Sequence, residues 1–471
     1  MRQTKIICTM GPSVDSDEKI RELILAGMDA ARFNFSHGSY DEHKARMDRV
    51  KRISKELKQQ IPLILDTKGP EIRVRDFENG SVILEEGQTF TLYASADVVG
   101  NKDGVSVTFP YMSEDVKAGD EILIDDGLVS MTVESIKGND LICRVKNGGK
   151  ISNHKSINVP GVEIDQNYIS EKDREDILFG IKMDVDYIAA SFVRGIEDVR
   201  KLRKLLNVNG GEQIKIIAKI ENQKGVDNLD QIIEIADGVM VARGDMGVEI
   251  PFRELPSIQK RIIEKCYKSG KLVVTATQML ESMTEHPRPT RAEVSDVANA
   301  IYDGTTCLML SGETAAGKYP VEAVRTMASI AKYTEDQINN KERFFSSQLK
   351  LSEDIPNTIA SASVDASYFL DAKAIICMSA TGRTALLTSF YRPEAPIIAC
   401  VTNEKACRQL RLQFGVYPLL APYTDDTVEM KKNSIKLALS TNVIEKGELA
   451  IIISGSMTGY QYADTMQITY L

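Results

Sequence analysis

The chain has 471 residues, which predicts two or three domains, and its 43% hydrophobic and 27% charged residues are typical of a globular protein with a large core. Its net charge of −9, without any basic block, argues against nucleic acid as the main partner. The seven cysteines stand singly, without a C-x-x-C pair, and no apolar run approaches the roughly 18 residues of a membrane helix. We therefore expect a cytoplasmic protein with reduced thiols, no zinc site and no membrane partner.

Short apolar runs, each followed by polar or glycine-containing sequence, alternate with amphipathic helical segments and predict strands. In chain order these runs begin at Thr4, Asp29, Pro62, Asp186, Ile214, Asp237, Lys271 and Cys307. Their nearly continuous apolar character is typical of a parallel sheet that is buried on both faces. The alternation predicts an α/β protein with a (β/α)8 barrel, in which the C-terminal strand ends form the functional site.

Two further regions depart from this alternation. Residues 70–159, between the third and fourth runs, are rich in Val, Thr and Ile and contain turn sequences such as "ENGS" and "KGND". We predict that they form a β-barrel lid domain inserted into a loop on the site-bearing face. Residues 338–471 start with a polar helical stretch and then show a new strand–helix alternation, which predicts a C-terminal α/β domain with an open, mostly parallel sheet. The barrel then comprises residues 1–69 and 160–337.

The stretch "IIAKIEN" places Lys219 and Glu221 on one face of a buried strand, because side chains alternate along a strand. The pair is either a structural salt bridge or half of an active site. Other strand ends supply acids, bases and hydroxyls: Arg32, Asn34, Ser36 and His37, then Asp66, Thr67, Lys68 and Arg73, then Gly244 and Asp245, and finally Thr277. Each has an ordinary structural explanation by itself. Their coincidence at the strand ends predicts an active site.

The residue types at these ends indicate the chemistry. Glu221 and Asp245 are hard oxygen ligands on neighbouring strands, which suits Mg²⁺ or Mn²⁺. Lys219 lies where it can offset charge on a phosphoryl group. Arg32 and Arg73 are suited to bidentate phosphate contacts. These features predict phosphoryl transfer to or from a small anion.

Two other features complete this prediction. The sequence "GDMGVEIPF" looks like a helix start, whose free backbone N–H groups can hold a substrate carboxylate. One group of mostly neutral oxygen donors fits a monovalent cation, namely Asn34, Ser36, Asp66 and Thr67.

Several long stretches are similar to hallmark sequences of pyruvate kinases, and the similarity extends over essentially the whole chain. They are "RFNFSHG", "LDTKGPEIR", "IIAKIENQKGV", "VARGDMGVEIP", "TATQMLESM" and "MLSGETAAGKYP". The resemblance implies a barrel, a lid and a C-terminal effector domain, usually in a homotetramer. It also implies the last reaction of glycolysis, in which phosphoenolpyruvate and ADP give pyruvate and ATP. We expect no further domain after Leu471, in contrast to some bacterial members.

The resemblance assigns roles residue by residue. The catalytic and substrate-binding positions are Lys219, Thr277, Arg73, Arg32, Gly244 and Asp245. The nucleotide-binding positions are Asn34, His37, Arg73 and Lys155. The Mg²⁺ ligands are Glu221 and Asp245, and the K⁺ ligands are Asn34, Ser36, Asp66 and Thr67. Glu71 implies K⁺ dependence, because members that work without K⁺ tend to carry lysine there.

The chain also departs from the family pattern. Lys224 stands where an acid is common, and Ser156 stands where glycine is usual. In the C-terminal domain "SATGRT" resembles the effector-phosphate loop, with Ser379, Thr381, Gly382, Arg383 and Thr384 as its candidate ligands, although a plain strand-to-helix turn is the alternative. The loop "SGSMTGYQYAD" lacks the Trp and Arg of some fructose-1,6-bisphosphate-regulated members. The effector is therefore left open as a sugar phosphate or a nucleotide.

Two other functions have to be weighed. A barrel aldolase or lyase with a metal-bound enolate would also use two carboxylates, but it needs neither a lid, nor Arg73, nor the K⁺ oxygens. A metabolite-sensing scaffold without catalysis would retain the effector loop, but it would not need intact Lys219, Glu221, Asp245 and Thr277. Both alternatives make no pyruvate from phosphoenolpyruvate and ADP, so a direct assay separates them from the kinase.

Overall fold

The structure is a computed structural model, and it describes residues 1–94, 96–347, 349, 353–455 and 462–471. The strands before and within the lid are β1 Lys5–Thr9, β2 Ala30–Asn34, β3 Leu63–Asp66, β4 Ile72–Arg73, β5 Ser81–Leu84, β6 Thr89–Tyr93, β7 Gly104–Ser106, β8 Glu121–Ile124, β9 Val129–Lys137, β10 Asp140–Asn147, β11 Gly149–Ser152 and β12 Ser156–Asn158. The later strands are β13 Tyr187–Ala190, β14 Lys215–Ile220, β15 Gly238–Ala242, β16 Leu272–Ala276, β17 Cys307–Leu310, β18 Ala374–Met378, β19 Ile397–Val401, β20 Val416–Leu420, β21 Leu449–Ser454 and β22 Thr465–Tyr470.

Helices connect these strands and cover the sheets. They are α1 Asp17–Ala26, α2 Tyr40–Glu56, α3 Met112–Asp115, α4 Glu171–Lys182, α5 Ile196–Val208, α6 Gln223–Asp227, α7 Leu229–Ile235, α8 Arg243–Glu249, α9 Leu255–Lys268, α10 Arg291–Asp303, α11 Gly312–Ala315, α12 Pro320–Glu335, α13 Asn340–Ser347, α14 Ile355–Leu370, α15 Arg383–Phe390, α16 Glu404–Leu410 and α17 Thr427–Leu439. Capping boxes start α2, α4 and α10, where a Ser or Thr side chain and an acid three residues later satisfy the first backbone N–H groups.

The predicted (β/α)8 barrel is confirmed. The parallel strands close in the order β1-β17-β16-β15-β14-β13-β3-β2. Alternate side chains such as Ile7, Ile217 and Met240 fill the barrel interior. Their neighbours along the strands, such as Ile6 and Ile216, pack under the helices instead. Because both faces are buried, these strands contain few polar residues before they end, and the polar residues that follow their C-terminal ends meet at one rim.

The lid is a separate β-structure with its own core. Its main sheet has the order β4-β12-β8-β9-β10-β6-β7, and hydrogen bonds from Arg75 N to Ser106 O (2.8 Å) and from Thr108 N to Arg73 O (2.9 Å) join the two edges. The sheet therefore curls into the predicted barrel. The chain enters the lid through Gly69 and returns through Gly161, which have φ of 76° and 79°. Each of these glycines adjoins a proline, so both connections are short turns that favour glycine.

The predicted open sheet of the C-terminal domain is also confirmed, with the order β20-β19-β18-β21-β22. Only the edge strand β22 is antiparallel to its neighbour within the described part of this sheet. The sequence analysis did not predict β22. Residues 456–461 of the predicted loop "SGSMTGYQYAD" lie outside the described residues.

The C-terminal domain packs against the barrel end opposite the site-bearing rim. Asp29, next to β2, accepts hydrogen bonds from Arg2 at 2.5 Å and from Arg411 at 3.0 Å. Lys5 in β1 is buried and donates from Nζ to the carbonyl oxygen of Val416 at 2.8 Å. The contact between the two domains thus includes buried charge.

Lys5 gives this contact a pH dependence that can be measured. Burial lowers the pKa of Lys5 from 10.5 to about 8, although Asp29 opposes the shift. The folded protein therefore binds this proton less tightly than the unfolded chain, and stability rises as the pH increases from about 8 to 10.5. The contribution amounts to about 3 kcal/mol. We expect urea titrations to show that the free energy of unfolding of wild type, relative to that of Lys5→Met, is higher at pH 10.5 than at pH 7 by about 3 kcal/mol. A difference that is independent of pH would contradict the prediction.

Candidate active site

Lys219 and Glu221 lie side by side at the end of β14, as strand alternation predicts. The Lys219 ammonium is 3.0 Å from Glu221 Oε1 and 3.1 Å from Asp66 Oδ1, and it donates to Ser191 Oγ at 2.6 Å. The other Glu221 oxygen accepts from the Phe192 N–H at 2.5 Å. The lysine therefore connects the ends of β3, β13 and β14. Its contact with Glu221 is part of a larger polar group and not an isolated salt bridge.

The charges at this point are not balanced within the protein. Burial, reinforced by nearby Asp245 and opposed by Lys219, raises the pKa of Glu221 from 4.5 to about 8. Glu221 Oε1 is buried and has no hydrogen-bond partner of good geometry among the described residues, although Lys219 is close. Two adjacent carboxylates, one of them with an oxygen that lacks a hydrogen-bond donor within the described part of the chain, fit a divalent cation. The charge of the cation would favour the ionised form of both acids. Their hard oxygen donors suit Mg²⁺ or Mn²⁺.

The second and third strand ends are joined by another buried ion pair. Arg32 Nε donates to Asp66 Oδ2 at 2.6 Å, and its Nη1 donates to Thr9 Oγ1 at 2.9 Å. Burial would raise the pKa of Asp66, but Arg32 and Lys219 outweigh it and lower the pKa below the usual value. Asp66 is thus held as a carboxylate between two cationic side chains, beneath the open rim.

The oxygens predicted to bind K⁺ come from the same two loops. Asn34 Oδ1 accepts from the Ser36 N–H at 3.1 Å, and Thr67 Oγ1 accepts from the Ser191 N–H at 3.1 Å. Asp66 Oδ1 also accepts from Ser191 Oγ at 3.3 Å. Carboxylate, amide and hydroxyl oxygens form a donor set that fits a hard monovalent cation.

The lid covers these residues and leaves a cavity of about 310 Å³. The predicted site residues in its wall are Arg32, Asn34, Ser36, His37, Arg73, Lys155, Lys219, Glu221 and Asp245. From the lid side, Arg73 donates to the His154 carbonyl at 2.7 Å and pairs with Glu71, while Lys155 pairs with Asp125 at 2.8 Å. The cavity therefore has cationic side chains paired with acids on its lid wall and the lysine–carboxylate group on its barrel wall.

Thr277 and Gly244 meet beside this cavity. The Gly244 N–H donates to Thr277 Oγ1 at 2.9 Å, which joins the end of β16 to the start of α8. Thr277 has φ of 64°, a left-handed conformation that a β-branched residue rarely adopts. Arg243 stabilises this turn, because it donates to the Thr277 carbonyl at 2.6 Å and pairs with Asp296 at 2.7 Å. Strain held in this way is typical of functional sites.

The strain at Thr277 gives a prediction that separates stability from activity. Thr277→Gly removes a backbone strain of order 1–3 kcal/mol. It also removes a hydrogen bond worth about 1 kcal/mol and adds freedom to the unfolded chain worth about 0.5–1 kcal/mol. We expect unfolding free energies within about 1 kcal/mol of wild type together with a loss of activity of at least about tenfold. Parallel urea titrations and rate measurements check this. A large loss of stability with normal activity would show that Thr277 has only a structural role.

The sequence analysis missed three contributors to the site. Ser191 and Phe192 follow β13 and contact Lys219 and Glu221, but no role was assigned to the end of that strand. The signal was present, because "SF" ends an apolar run like the others. Arg243 gave no such signal, since its role depends on contacts with the distant Thr277 turn. Asp245 lies in the first turn of α8 and does not cap it, because Ala242 occupies the N-cap.

The predicted effector loop connects β18 to α15. The Gly382 N–H donates to Ser379 Oγ at 3.1 Å, and α15 begins at the next residue, Arg383. Arg383 is exposed and lies 4.0 Å from Asp354, whereas Thr384 is buried. The loop is thus a strand-to-helix turn, which is compatible with both interpretations of its sequence.

A (β/α)8 barrel with a lid and a lysine–carboxylate group at its C-terminal rim is the arrangement of a TIM-barrel enzyme. The family described as "Pyruvate kinase, barrel domain" matches residues 1–324, and the one described as "Pyruvate kinase, alpha/beta domain" matches residues 357–469. The chain belongs to the pyruvate kinase family.

Individual relatives support the assignment. The chain is 47% identical to a pyruvate kinase of Clostridium acetobutylicum, with 97% of each chain covered, and 46% identical to one of Clostridium perfringens, with 98% of each covered. It is 47% identical to a pyruvate kinase of Geobacillus stearothermophilus, covering 97% of this chain and 78% of that protein. A crystal structure of a pyruvate kinase from Cryptosporidium parvum superimposes with a TM-score of 0.94 at 38% identity, covering 100% of this chain and 96% of that one. Within the described residues, no helix is both long and apolar enough to span a membrane.

Proposed function

We propose that the chain transfers the phosphoryl group of phosphoenolpyruvate to ADP, giving pyruvate and ATP, in a reaction that depends on Mg²⁺ and K⁺. The observation that carries this proposal is the triple contact of Lys219 with Asp66, Ser191 and Glu221 beneath a lid that supplies Arg73 and Lys155. Phosphoryl transfer depends mainly on positioning and on charge stabilisation, and this arrangement offers both.

Each side chain has a role that follows from its position. Glu221 and Asp245 would hold Mg²⁺, which supplies charge neutralisation for the phosphoryl oxygens and the enolate when it is bound. Lys219 is fixed by its three partners and offsets charge on the phosphoryl group during transfer. Arg32 and Arg73 bind phosphate oxygens from the barrel side and the lid side.

The substrate carboxylate has its own place beside these groups. The first turn of α8 would offer the backbone N–H of Asp245 and a favourable helix dipole to an anion, while the Gly244 N–H is held by Thr277 Oγ1. Thr277 holds this turn through Gly244 and lies near the position of the enolate. We propose Thr277, with a water molecule, as the route for the proton that converts the enolate into pyruvate.

The K⁺ requirement is proposed for Asn34, Ser36, Asp66 and Thr67. Their contacts with Arg32, Lys219 and Ser191 mean that a cation bound there would fix the residues that bind the phosphoryl group. Glu71 pairs with Arg73 in the wall of the cavity, and a K⁺ ion would complement this acid. Activity should therefore fall when K⁺ is replaced by a bulky organic cation at equal ionic strength.

We further propose that the protein acts in the cytoplasm as a homotetramer and responds to a phosphorylated effector at the loop from Ser379 to Thr384. Hydroxyl groups and the backbone N–H groups that start α15 would form the phosphate cradle there. A sugar phosphate and a nucleotide share this chemistry, so titration with each separates them.

The test of the proposed function is pyruvate release from phosphoenolpyruvate and ADP with Mg²⁺, with and without K⁺. Rapid, K⁺-dependent turnover is expected. Folded protein that forms no pyruvate with any divalent metal would overturn the proposal. The aldolase and the scaffold would then be the functions to test.

A further inference from the structure

The lid and the barrel share a polar contact that the proposed chemistry does not use. Asn158 is the last residue of β12, the last strand of the lid, and Glu249 is the last residue of α8. Asn158 Nδ2 donates to Glu249 Oε1 at 2.7 Å. The contact joins the lid directly to the helix whose first turn carries Gly244 and Asp245.

The surroundings of this hydrogen bond give it weight. Both residues line a second cavity, of about 400 Å³, on the hinge side of the lid. Apolar side chains such as Ile157, Val159 and Val162 form much of its wall. Burial raises the pKa of Glu249, the bond from Asn158 lowers it, and the nearby charge of Asp245 raises it. A carboxylate in such surroundings loses much when its donor is removed.

Other contacts at the junction differ in kind. Lys224, the residue that departs from the family pattern, pairs with Glu163 in the segment that returns from the lid, but both side chains are largely exposed. Exposed pairs contribute little. Arg194 donates to the carbonyl oxygens of Ile164 at 3.3 Å and Gln166 at 3.2 Å, which fixes the returning segment to the barrel but does not reach α8.

Asn158 is also close to the lid residues that face the active site. Its strand pairs with β4, with Ser156 opposite Arg73, and Lys155 precedes the strand directly. The two lid connections, at Gly69 and Gly161, lie on either side of this strand pair along the chain. Any displacement of Asn158 relative to α8 is therefore passed on to Arg73 and Lys155.

We propose that Asn158 and Glu249 form a hinge pin, a contact that fixes the pivot of the lid relative to α8. They are positioning residues, which act through Arg73 and Lys155 on the lid and through Gly244 and Asp245 on the barrel. The inference deepens the proposed function and rests on it for its kinetic consequences, whereas its mechanical part concerns lid motion alone.

The kinetic test uses Asn158→Ala, Glu249→Ala and the double variant. Each single change is expected to lower kcat/KM about tenfold for both phosphoenolpyruvate and ADP, the effect of losing one charge-assisted hydrogen bond. The double variant should be no worse than either single one, because the two residues act as a unit. Glu249→Gln keeps an acceptor oxygen and should recover most of the loss. Lys224→Gln, which breaks the exposed pair at the same junction, is the matched control and should change kcat/KM less than about twofold.

The mechanical test does not require turnover. The sequence contains no tryptophan, so Tyr111→Trp, at an exposed position of the lid, provides a single fluorescent reporter. In this background Asn158→Ala and Glu249→Ala should widen the nanosecond motion of the lid seen by time-resolved anisotropy, and Glu249→Gln and Lys224→Gln should not. If the wild type makes no pyruvate, the proposed function fails while this measurement still decides the hinge pin. The inference would be overturned if Asn158→Ala and Glu249→Ala had the anisotropy decay of wild type and additive effects on kcat/KM. It would also be overturned if their only change were a lower Tm.

Discussion

Lys219→Met is expected to lower kcat for pyruvate formation by about 10²–10³-fold, the usual cost of removing one preorganised charge-stabilising group. Burial alone would lower the pKa of Lys219, but Asp66, Glu221 and Asp245 outweigh it and raise the pKa above that of an ordinary lysine. The side chain therefore remains an ammonium and is held by three partners. This is the position proposed above for charge stabilisation of the phosphoryl group. Methionine retains the stem as far as Cε and removes the ammonium group, with its charge and its hydrogen bonds to Asp66 and Ser191. The KM for ADP should change much less than kcat.

The matched control for this variant is Lys5→Met. Lys5 is likewise a buried lysine on a barrel strand, but it lies at the opposite end and contacts the C-terminal domain. It should leave kcat within about twofold of wild type, because it is far from the developing charge. Circular dichroism and Tm values show whether both variants are folded. A Lys219→Met enzyme that keeps a tenth or more of the wild-type kcat would mean that the lysine only neutralises two buried acids.

The barrel was predictable because its strands are buried on both faces. The run from Ile214 to Glu221 contains β14, Lys215–Ile220. Apart from its two lysines this strand is apolar, so it has to be buried. The sequence rule also located the site, since the first polar residues after each run had to meet at one rim. Lys219, Glu221 and Asp245 were found in this way, and the structure brings all three into one cavity wall.

The conformation of the strand ends was not predictable. Phe192 and Thr277 have φ of 53° and 64°, although local preferences disfavour left-handed backbone for bulky and β-branched residues. Distant contacts hold both turns, from Phe192 N–H to Glu221 and from Arg243 to the Thr277 carbonyl. No window of sequence contains both partners, so local pattern could not indicate these turns.

The edge strand β22 was missed for a different reason. The segment Thr465–Tyr470 alternates and is rich in β-formers, yet it is largely exposed and pairs with β21 alone among the described strands. A period-two pattern of such mixed polarity is a weak signal beside the uninterrupted apolar runs of the sheet centre. Likewise, the hinge contact of Asn158 with Glu249 joins residues 91 positions apart, and neither residue type suggests the other.

Removing one of the two proposed metal ligands should give the second large effect. Glu221→Gln is expected to weaken Mg²⁺ binding by more than the 10–100-fold typical of residues that only orient ligands. The amide oxygen can still accept from the Phe192 N–H, so the turn after β13 should persist. What is lost is the negative charge that Asp245 and Glu221 together present to a divalent cation. Pyruvate formation should fall with metal affinity, and excess Mn²⁺ should restore only part of it.

Without metal, the same substitution should stabilise the fold. Burial raises the pKa of Glu221 from 4.5 to about 8, so the metal-free protein binds this proton more tightly than the unfolded chain and loses stability as the pH rises through that interval. Glutamine removes this cost. In chelator at pH 8 the Tm of Glu221→Gln should therefore exceed that of wild type, whereas added Mg²⁺ should raise the Tm of wild type only. Glu313→Gln is the control, because Glu313 is buried near the end of β17 and holds the Leu280 and Ser311 N–H groups. The rise in Tm on addition of Mg²⁺ should be the same in Glu313→Gln as in wild type. An equal rise in Glu221→Gln would show that Glu221 does not bind the metal.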